Sequence, residues 1–62
     1  MTDDEVVAEA RVDGFELVER PVGGQWYWGF VRDGDDRYPA FLEQRQAVSY
    51  MRDWLRRGRV FA

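Results

Sequence analysis

The chain has 62 residues and a formal net charge of −3, and it contains neither cysteine nor histidine. Those two absences exclude disulfide bonds and any metal site built on cysteine or histidine. They also remove the side chain that most often performs acid–base catalysis at neutral pH. So short a chain is expected to lack room for a substrate cleft of about 300 Å³ or more. We therefore expect one domain, residues 1–62, that is not an enzyme and has no catalytic residue, cofactor or metal ion.

Aromatic side chains must supply much of the core, because no disulfide can stabilise so small a domain. The sequence has three tryptophans, three tyrosines and four phenylalanines. It has no apolar run near the roughly 20 residues that cross a bilayer as a helix. Residues 3–5 are acidic, whereas a secretory signal begins with basic residues. We expect an independently folding cytoplasmic protein.

The charges are distributed unevenly along the chain. Residues 1–19 contain seven acidic side chains against one arginine, and residues 43–62 contain five arginines against two acidic side chains. An acidic segment this dense repels nucleic acid and favours a basic protein surface. The candidate acidic partner-binding residues are Asp3, Asp4, Glu5, Glu9, Asp13, Glu16 and Glu19.

Three turn signals divide the first two thirds of the chain into segments of alternating apolar and polar residues. Asp13-Gly14 and Gly23-Gly24 are typical of two-residue hairpin loops, which require positive φ angles. The segment 33–36 is also rich in Asp and Gly, and it supplies too few oxygen ligands for a calcium loop. The pattern predicts strands at about residues 5–12, 15–22, 25–32 and 37–41.

The turns also predict the register of the sheet. Two-residue loops place Leu17 opposite Phe30 and Glu19 opposite Trp28, and a longer loop then places Trp28 opposite Phe41. Pro39 lacks a backbone donor, so the fourth strand is expected at an edge. The residues expected on the buried face of the sheet are Val6, Ala8, Ala10, Val12, Phe15, Leu17, Trp26, Trp28, Phe30 and Phe41.

The N-terminal segment allows two interpretations. Thr2 followed by Glu5 fits a helix capping box, which would make residues 3–12 a short helix. The strand interpretation is favoured because apolar residues alternate through this segment and Asp13-Gly14 follows directly.

After residue 42 the apolar spacing changes to that of a helix, predicted at about residues 43–57. Its apolar face consists of Ala47, Tyr50, Met51, Trp54 and Leu55. Arginines near its end and Gly58 after it fit a helix C-terminus. The expected fold class is α+β, an antiparallel meander of three or four strands with one C-terminal amphipathic helix packed on one face.

One helix covers only one side of a sheet, so the opposite side is expected to be partly open. Tyr27 falls on that side with Val18 and Val31, and the register assigns Tyr38 to it as well. Exposed tyrosine among apolar side chains is typical of a protein interface. Tyr27 and Tyr38 are therefore the candidate apolar partner-binding residues.

Residues 26–54 contain the pattern Trp-x-x-x-Phe-Val-Arg-Asp, then Arg-Tyr-x-x-Phe, then Ala-x-x-Tyr-x-x-x-Trp. This pattern resembles the sheet-plus-helix unit of the arm-type DNA-binding domains of phage integrases. The resemblance implies a similar fold and DNA binding by the exposed face of the sheet. That face carries few basic residues here, so direct binding of nucleic acid is the less favoured interpretation.

In size, acidity and lack of cysteine the chain also resembles small phage-encoded inhibitors, including anti-CRISPR proteins that imitate DNA. The leading hypothesis is a binding protein that occupies a partner protein's surface, such as a nucleic-acid-binding complex, in the host cytoplasm if a phage encodes it. The alternative is a DNA-binding accessory module that uses arginines. A third class, a self-associating subunit, stays open because the sequence does not set the oligomeric state. The arginines of the alternative are Arg20, Arg32, Arg37, Arg45, Arg52 and Arg56.

Overall fold

The protein is an α+β domain, and the computed structural model describes residues 1–33, 35 and 38–58. In chain order the elements are α1 (Asp3–Val12), β1 (Phe15–Val22), β2 (Gln25–Arg32), β3 (Ala40–Phe41) and α2 (Gln44–Arg56). The strands form one antiparallel sheet in the order β1-β2-β3. The expected fold class is confirmed in its main features, the antiparallel meander and the C-terminal helix.

The hairpin of β1 and β2 has the predicted bounds. Its loop is Gly23-Gly24, and both glycines have positive φ, 57° and 81°. Residues other than glycine rarely adopt a positive φ, whereas glycine does so at little cost. The predicted pairing of Leu17 with Phe30 is confirmed.

β3 is shorter than predicted. Among the described residues of this segment, Ala40 and Phe41 form the β3 pairing with β2, and Phe41 lies opposite Trp28 as expected. Residue 37, the start of the predicted strand, lies outside the described residues. A Cβ atom on Gly29 would lie 3.0 Å from the carbonyl oxygen of Pro39. Glycine at position 29 therefore allows this edge segment to approach β2 closely.

Residues 3–12 form a helix, so the prediction of a strand at about residues 5–12 is wrong. The Glu5 N–H donates to the Thr2 hydroxyl at 3.2 Å, and the Thr2 N–H donates to the Glu5 carboxylate at 3.0 Å. This capping box satisfies two backbone donors that a helix N-terminus otherwise leaves without partners. Acidic side chains in the first turn are further stabilised by the helix dipole.

The burial pattern of α1 has the period of a helix. Val6 and Ala10, four residues apart, are each 0% exposed, whereas Val12 is 81% exposed and Ala8 is exposed. The four alternating apolar residues of this segment therefore do not share a sheet face. Only the pair at helical spacing is buried.

Both helices pack on the same face of the sheet. The buried core draws on α1, the sheet and α2, and consists of Val6, Ala10, Phe15, Phe30, Ala47, Val48, Met51 and Trp54. Phe15 is central, because its ring makes edge-to-face contacts with Trp54 and Tyr38, each at a centroid distance of 5.2 Å. The guanidinium of Arg32 lies 4.7 Å from the centroid of the same ring.

The aromatic residues of the hairpin differ in burial, and one prediction about them is wrong. Phe30 is buried and Trp28 is half-buried against the core. Trp26 was expected in the core and is 53% exposed. It pairs with Pro21 near the hairpin loop, beyond the two residues of β2 that pair with β3. The hairpin thus extends past the part of the sheet that the core covers.

Candidate functional site

An open groove of about 610 Å³ lies between α1 and the helix-covered face of the sheet. We call it the α1–sheet groove. A concavity of this size contradicts the expectation that so short a chain has no room for one. The residues that line it are Asp4, Val7, Ala8 and Arg11 of α1, Glu16 and Leu17 of β1, Trp28 of β2 and Gln44 of α2.

The groove has an apolar floor. Leu17 and Trp28 lie on neighbouring strands and, with Val7 from α1, pack against the buried core while staying partly exposed. A ligand that covers these side chains removes apolar surface from water, which is favourable. The floor can therefore bind an apolar side chain.

The wall of the groove follows from the helical spacing of α1. Residues 4, 7, 8 and 11 lie on one helix face because they are separated by three and four positions. At the end of α1, the Gly14 N–H donates to the Arg11 carbonyl at 2.9 Å, and Gly14 has a φ of 88°. This turn reverses the chain, so β1 begins directly beside the helix that forms the wall.

An ion pair holds α1 against α2. The Arg52 guanidinium donates to the Asp3 carboxylate at 2.7 Å, across 49 positions of the sequence. The side chain of Arg52 is 31% exposed and that of Asp3 is 67% exposed. So exposed a pair contributes about 1 kcal/mol or less to stability, and it adds a direct side-chain contact between α1 and α2.

The apolar floor continues onto the end of the hairpin. Trp26 is two residues from Trp28 on the same strand face, and the register places Pro21 opposite Trp26. We call Leu17, Pro21, Trp26 and Trp28 the hairpin shelf. The exposed indole of Trp26 therefore lies next to the half-buried Trp28 and extends the groove outward.

Carboxylates outnumber arginines around these two surfaces. Asp4 lines the groove, and Glu19 lies opposite Trp28 on the shelf side of the sheet. Glu16 borders the groove from β1, but strand alternation places its side chain on the opposite face. All three are exposed. Arg11 is the one cation among the described residues that line the groove. The surroundings of the apolar floor are therefore net acidic and favour a cationic ligand group.

The remaining predicted acidic residues lie elsewhere. Asp3 is paired with Arg52, and Glu5 belongs to the capping box. The hydrogen bond from the Thr2 backbone, followed by that from the Thr2 hydroxyl, lowers the pKa of Glu5 below its ordinary value. Glu9 faces a different hollow, between α1 and the end of α2, and Asp13 is the C-cap of α1. The seven acidic residues do not form one surface.

Tyr27 and Tyr38 also lie apart. Tyr27 is half-buried on the face of the sheet away from the helices, opposite Arg20. Tyr38 contacts Phe15 in the core and accepts a hydrogen bond from Arg32 at 3.3 Å. The placement of Tyr38 on the open face is wrong, because it precedes β3 and does not follow the alternation of a strand.

Several arginines of the DNA-binding alternative contact other side chains of the chain. Arg52 pairs with Asp3, Arg45 pairs with Glu43 at 3.2 Å, and Arg32 lies over the ring of Phe15. Arg37 lies outside the described residues. A DNA-binding surface built on these arginines would have to draw them away from their present contacts.

Sequence reasoning missed the groove because it assigned α1 to a strand. A strand at residues 5–12 has no face that could form the wall, and it would have placed Trp26 and Trp28 together in the core. The signal that identifies α1 is the capping box of Thr2 and Glu5.

Over residues 1–33, 35 and 38–58, no group of three or more His, Cys, Asp or Glu side chains could hold a metal ion. In the same part of the chain, no helix has the length and apolar character needed to cross a membrane. Comparisons with protein-family models, curated proteins and solved structures found no match. The similarities to integrase arm-type domains and to small phage inhibitors therefore stay predictions.

Proposed function

We propose that the protein is a non-enzymatic protein-binding module and that its binding site is the α1–sheet groove together with the hairpin shelf. The observation that carries the proposal is Trp26, whose large apolar side chain is 53% exposed on the same strand face as the half-buried Trp28. Covering an exposed tryptophan releases water from a large apolar area, and tryptophan is among the residues that contribute most to protein interfaces.

The charge around the site indicates the chemistry of the partner. Asp4 and Glu19 flank the apolar floor. They match a partner segment that places an apolar side chain between arginines or lysines. Guanidinium groups suit carboxylates especially well, because they form two parallel hydrogen bonds with one carboxylate.

A more specific form of the proposal is an inhibitor that occupies the phosphate-binding groove of a nucleic-acid-binding complex, as in the anti-CRISPR class. Such grooves are basic, and the carboxylates of Asp4 and Glu19 would lie where the phosphates bind. The apolar shelf would then add contacts that a phosphate backbone does not make, which gives the inhibitor an advantage over DNA that persists at high salt.

The general proposal can be tested with two short peptides that share an apolar centre, one flanked by arginines and the other by glutamates. We expect the arginine peptide to shift the backbone amide resonances of Leu17 and Trp28 and the indole resonance of Trp26 in a ¹H–¹⁵N titration. The glutamate peptide should shift none of them. Trp26→Ser should weaken binding of the arginine peptide about thirtyfold, because an interface tryptophan contributes on the order of 2 kcal/mol.

Val22→Ser is the matched control. Val22 is 58% exposed at the same end of the hairpin and lies on the opposite face of the sheet. The Val22→Ser variant should bind the arginine peptide as tightly as the wild type does. Equal loss in both variants, or no shifts with either peptide, contradicts the proposal. Micromolar binding of duplex DNA at low salt would favour the DNA-binding alternative instead.

A further inference from the structure

The free edge of β1 is a second surface, distinct from the groove. Within the described residues, β1 pairs with β2 along all eight of its residues and with no strand on its other side. An edge strand of this length presents unpaired backbone groups, and it is a ready template for pairing with another strand. Pro21 protects only the last part of this edge, because it lacks a donor.

The hairpin loop determines which backbone groups face outward. A two-residue loop makes Val22 and Gln25 a hydrogen-bonded pair, and hydrogen-bonded pairs then alternate with non-hydrogen-bonded ones along the hairpin. The even-numbered residues of β1 consequently direct their backbone groups to β2. Residues 15, 17, 19 and 21 direct theirs to the free edge, where all except Pro21 have an N–H to donate.

We infer that two copies of this chain associate through their β1 strands, antiparallel and centred on Val18, to form a continuous six-stranded sheet. On the face away from the helices β1 presents Glu16, Val18 and Arg20 in succession. Antiparallel pairing about Val18 places Glu16 of each copy opposite Arg20 of the other. Opposite charges directly across a strand pair are stabilising, and the two-fold symmetry makes both ion pairs equivalent.

Charge selects this register over its neighbours. The two β1 strands form hydrogen bonds only when the odd-numbered residues of one copy lie opposite odd-numbered residues of the other. The alternative registers therefore differ in which residue lies on the two-fold axis, and each residue of β1 in turn can occupy that position. Centring on Leu17 places Glu16 opposite Val18 and forms no ion pair. Centring on Glu19 faces the two Glu19 side chains towards each other, and centring on Glu16 or Arg20 opposes like charges. A guanidinium has five N–H donors, so Arg20 can hold the second carboxylate together with its contacts within its own chain.

The same register adds a residue to each groove. Leu17 of one copy forms a hydrogen-bonded pair with Glu19 of the other, and both side chains lie on the helix-covered side of the sheet. Each α1–sheet groove therefore gains a carboxylate from the second copy beside Leu17. The inference does not depend on the proposed function, because the groove and the free edge are tested by different variants.

The test is a charge-reversal cycle followed by sedimentation equilibrium on the full chain. The wild type should show a concentration-dependent mass between the 7.4 kDa of one chain and twice that value. Glu16→Arg and Arg20→Glu each replace two opposite-charge pairs with two like-charge pairs, and each should weaken dimerisation about tenfold or more. The double variant restores opposite charges in the exchanged order, so it should recover most of the wild-type affinity.

A backbone variant tests the edge without changing the ion pairs. The Glu19 N–H faces the free edge, so Glu19→Pro removes an intermolecular donor and leaves the pairing with β2 intact. Glu19→Pro should abolish the dimer, Glu19→Ala should preserve it, and the thermal midpoint of each variant shows that the fold is retained. A wild type that stays monomeric at millimolar concentration overturns the inference. A dimer that tolerates both single reversals and Glu19→Pro also overturns it.

Discussion

Val6 and Val12 provide a matched pair of sites that tests the assignment of α1. Both are valines of the same segment, and a strand would direct both side chains to the same face. The helix separates them instead, because Val6 is 0% exposed and Val12 is 81% exposed. Substitution by alanine removes the same two methyl groups at each site, from the core at Val6 and from the solvent-exposed surface at Val12.

The expected difference follows from burial. Val6→Ala removes two buried methyl groups, which costs about 1.6 kcal/mol of transfer free energy, and the cavity left behind raises the loss to about 2–3 kcal/mol. Alanine is the better helix former by a few tenths of a kcal/mol at both sites. Val12→Ala should therefore be neutral or slightly stabilising, and Val6→Ala should lower stability by about 2 kcal/mol.

Urea unfolding followed by tryptophan fluorescence measures both variants against the wild type. A domain of this length has a total stability of about 3–9 kcal/mol, so the loss at Val6 should lower the thermal midpoint by roughly 8–16 °C. Equal losses at the two positions would refute the helix and restore the strand interpretation.

Two further predictions concern the core and the helix cap. Phe15→Ala should lower stability by about 3–5 kcal/mol, enough to leave much of the chain unfolded, because Phe15 is 1% exposed and contacts two aromatic rings. Unfolding followed by circular dichroism measures this loss, and a free energy of unfolding within about 1 kcal/mol of the wild type would contradict the prediction. The lowered pKa of Glu5 means that its contribution to stability is present above the ordinary value of 4.5 and is lost as pH falls through the folded-state value. The variant Glu5→Gln keeps the capping box without titrating. The difference in thermal midpoint between the wild type and Glu5→Gln should therefore shrink on acidification from about pH 6 to about pH 3. A difference that stays constant would contradict the lowered pKa of Glu5.

The hairpin could be predicted from the sequence because its determinants are local. Gly23-Gly24 fixes a two-residue loop, and the loop sets every pair from Val22–Gln25 to Phe15–Arg32. The alternation of apolar residues then identifies the face that carries Phe15 and Phe30. None of these steps requires knowledge of distant parts of the chain.

The N-terminal helix could not be assigned from periodicity alone. Its apolar residues are small and occur at alternate positions, so they also include the pair Val6 and Ala10 at helical spacing. The capping box decides the outcome, because a helix satisfies its backbone hydrogen bonds locally. A fourth strand would have to pair along the free edge of β1.

The binding site depends on features that act over long distances. Trp26 is exposed because the hairpin extends past the part of the sheet that the core covers, and the groove follows from the packing of α1 against α2. The sequence shows how many acidic residues the N-terminal part contains, but the fold determines which of them lie at the groove, in the helix cap or in the Asp3–Arg52 ion pair.

The central claim is that the helices cover one end of the sheet and leave the hairpin shelf open to a partner. Acrylamide quenching of variants that keep a single tryptophan tests it directly, because the three tryptophans differ in burial. Trp54 is 3% exposed, Trp28 is half-buried and Trp26 is 53% exposed. We predict that quenching increases in that order, and a Trp26 as protected from acrylamide as Trp54 would contradict the account.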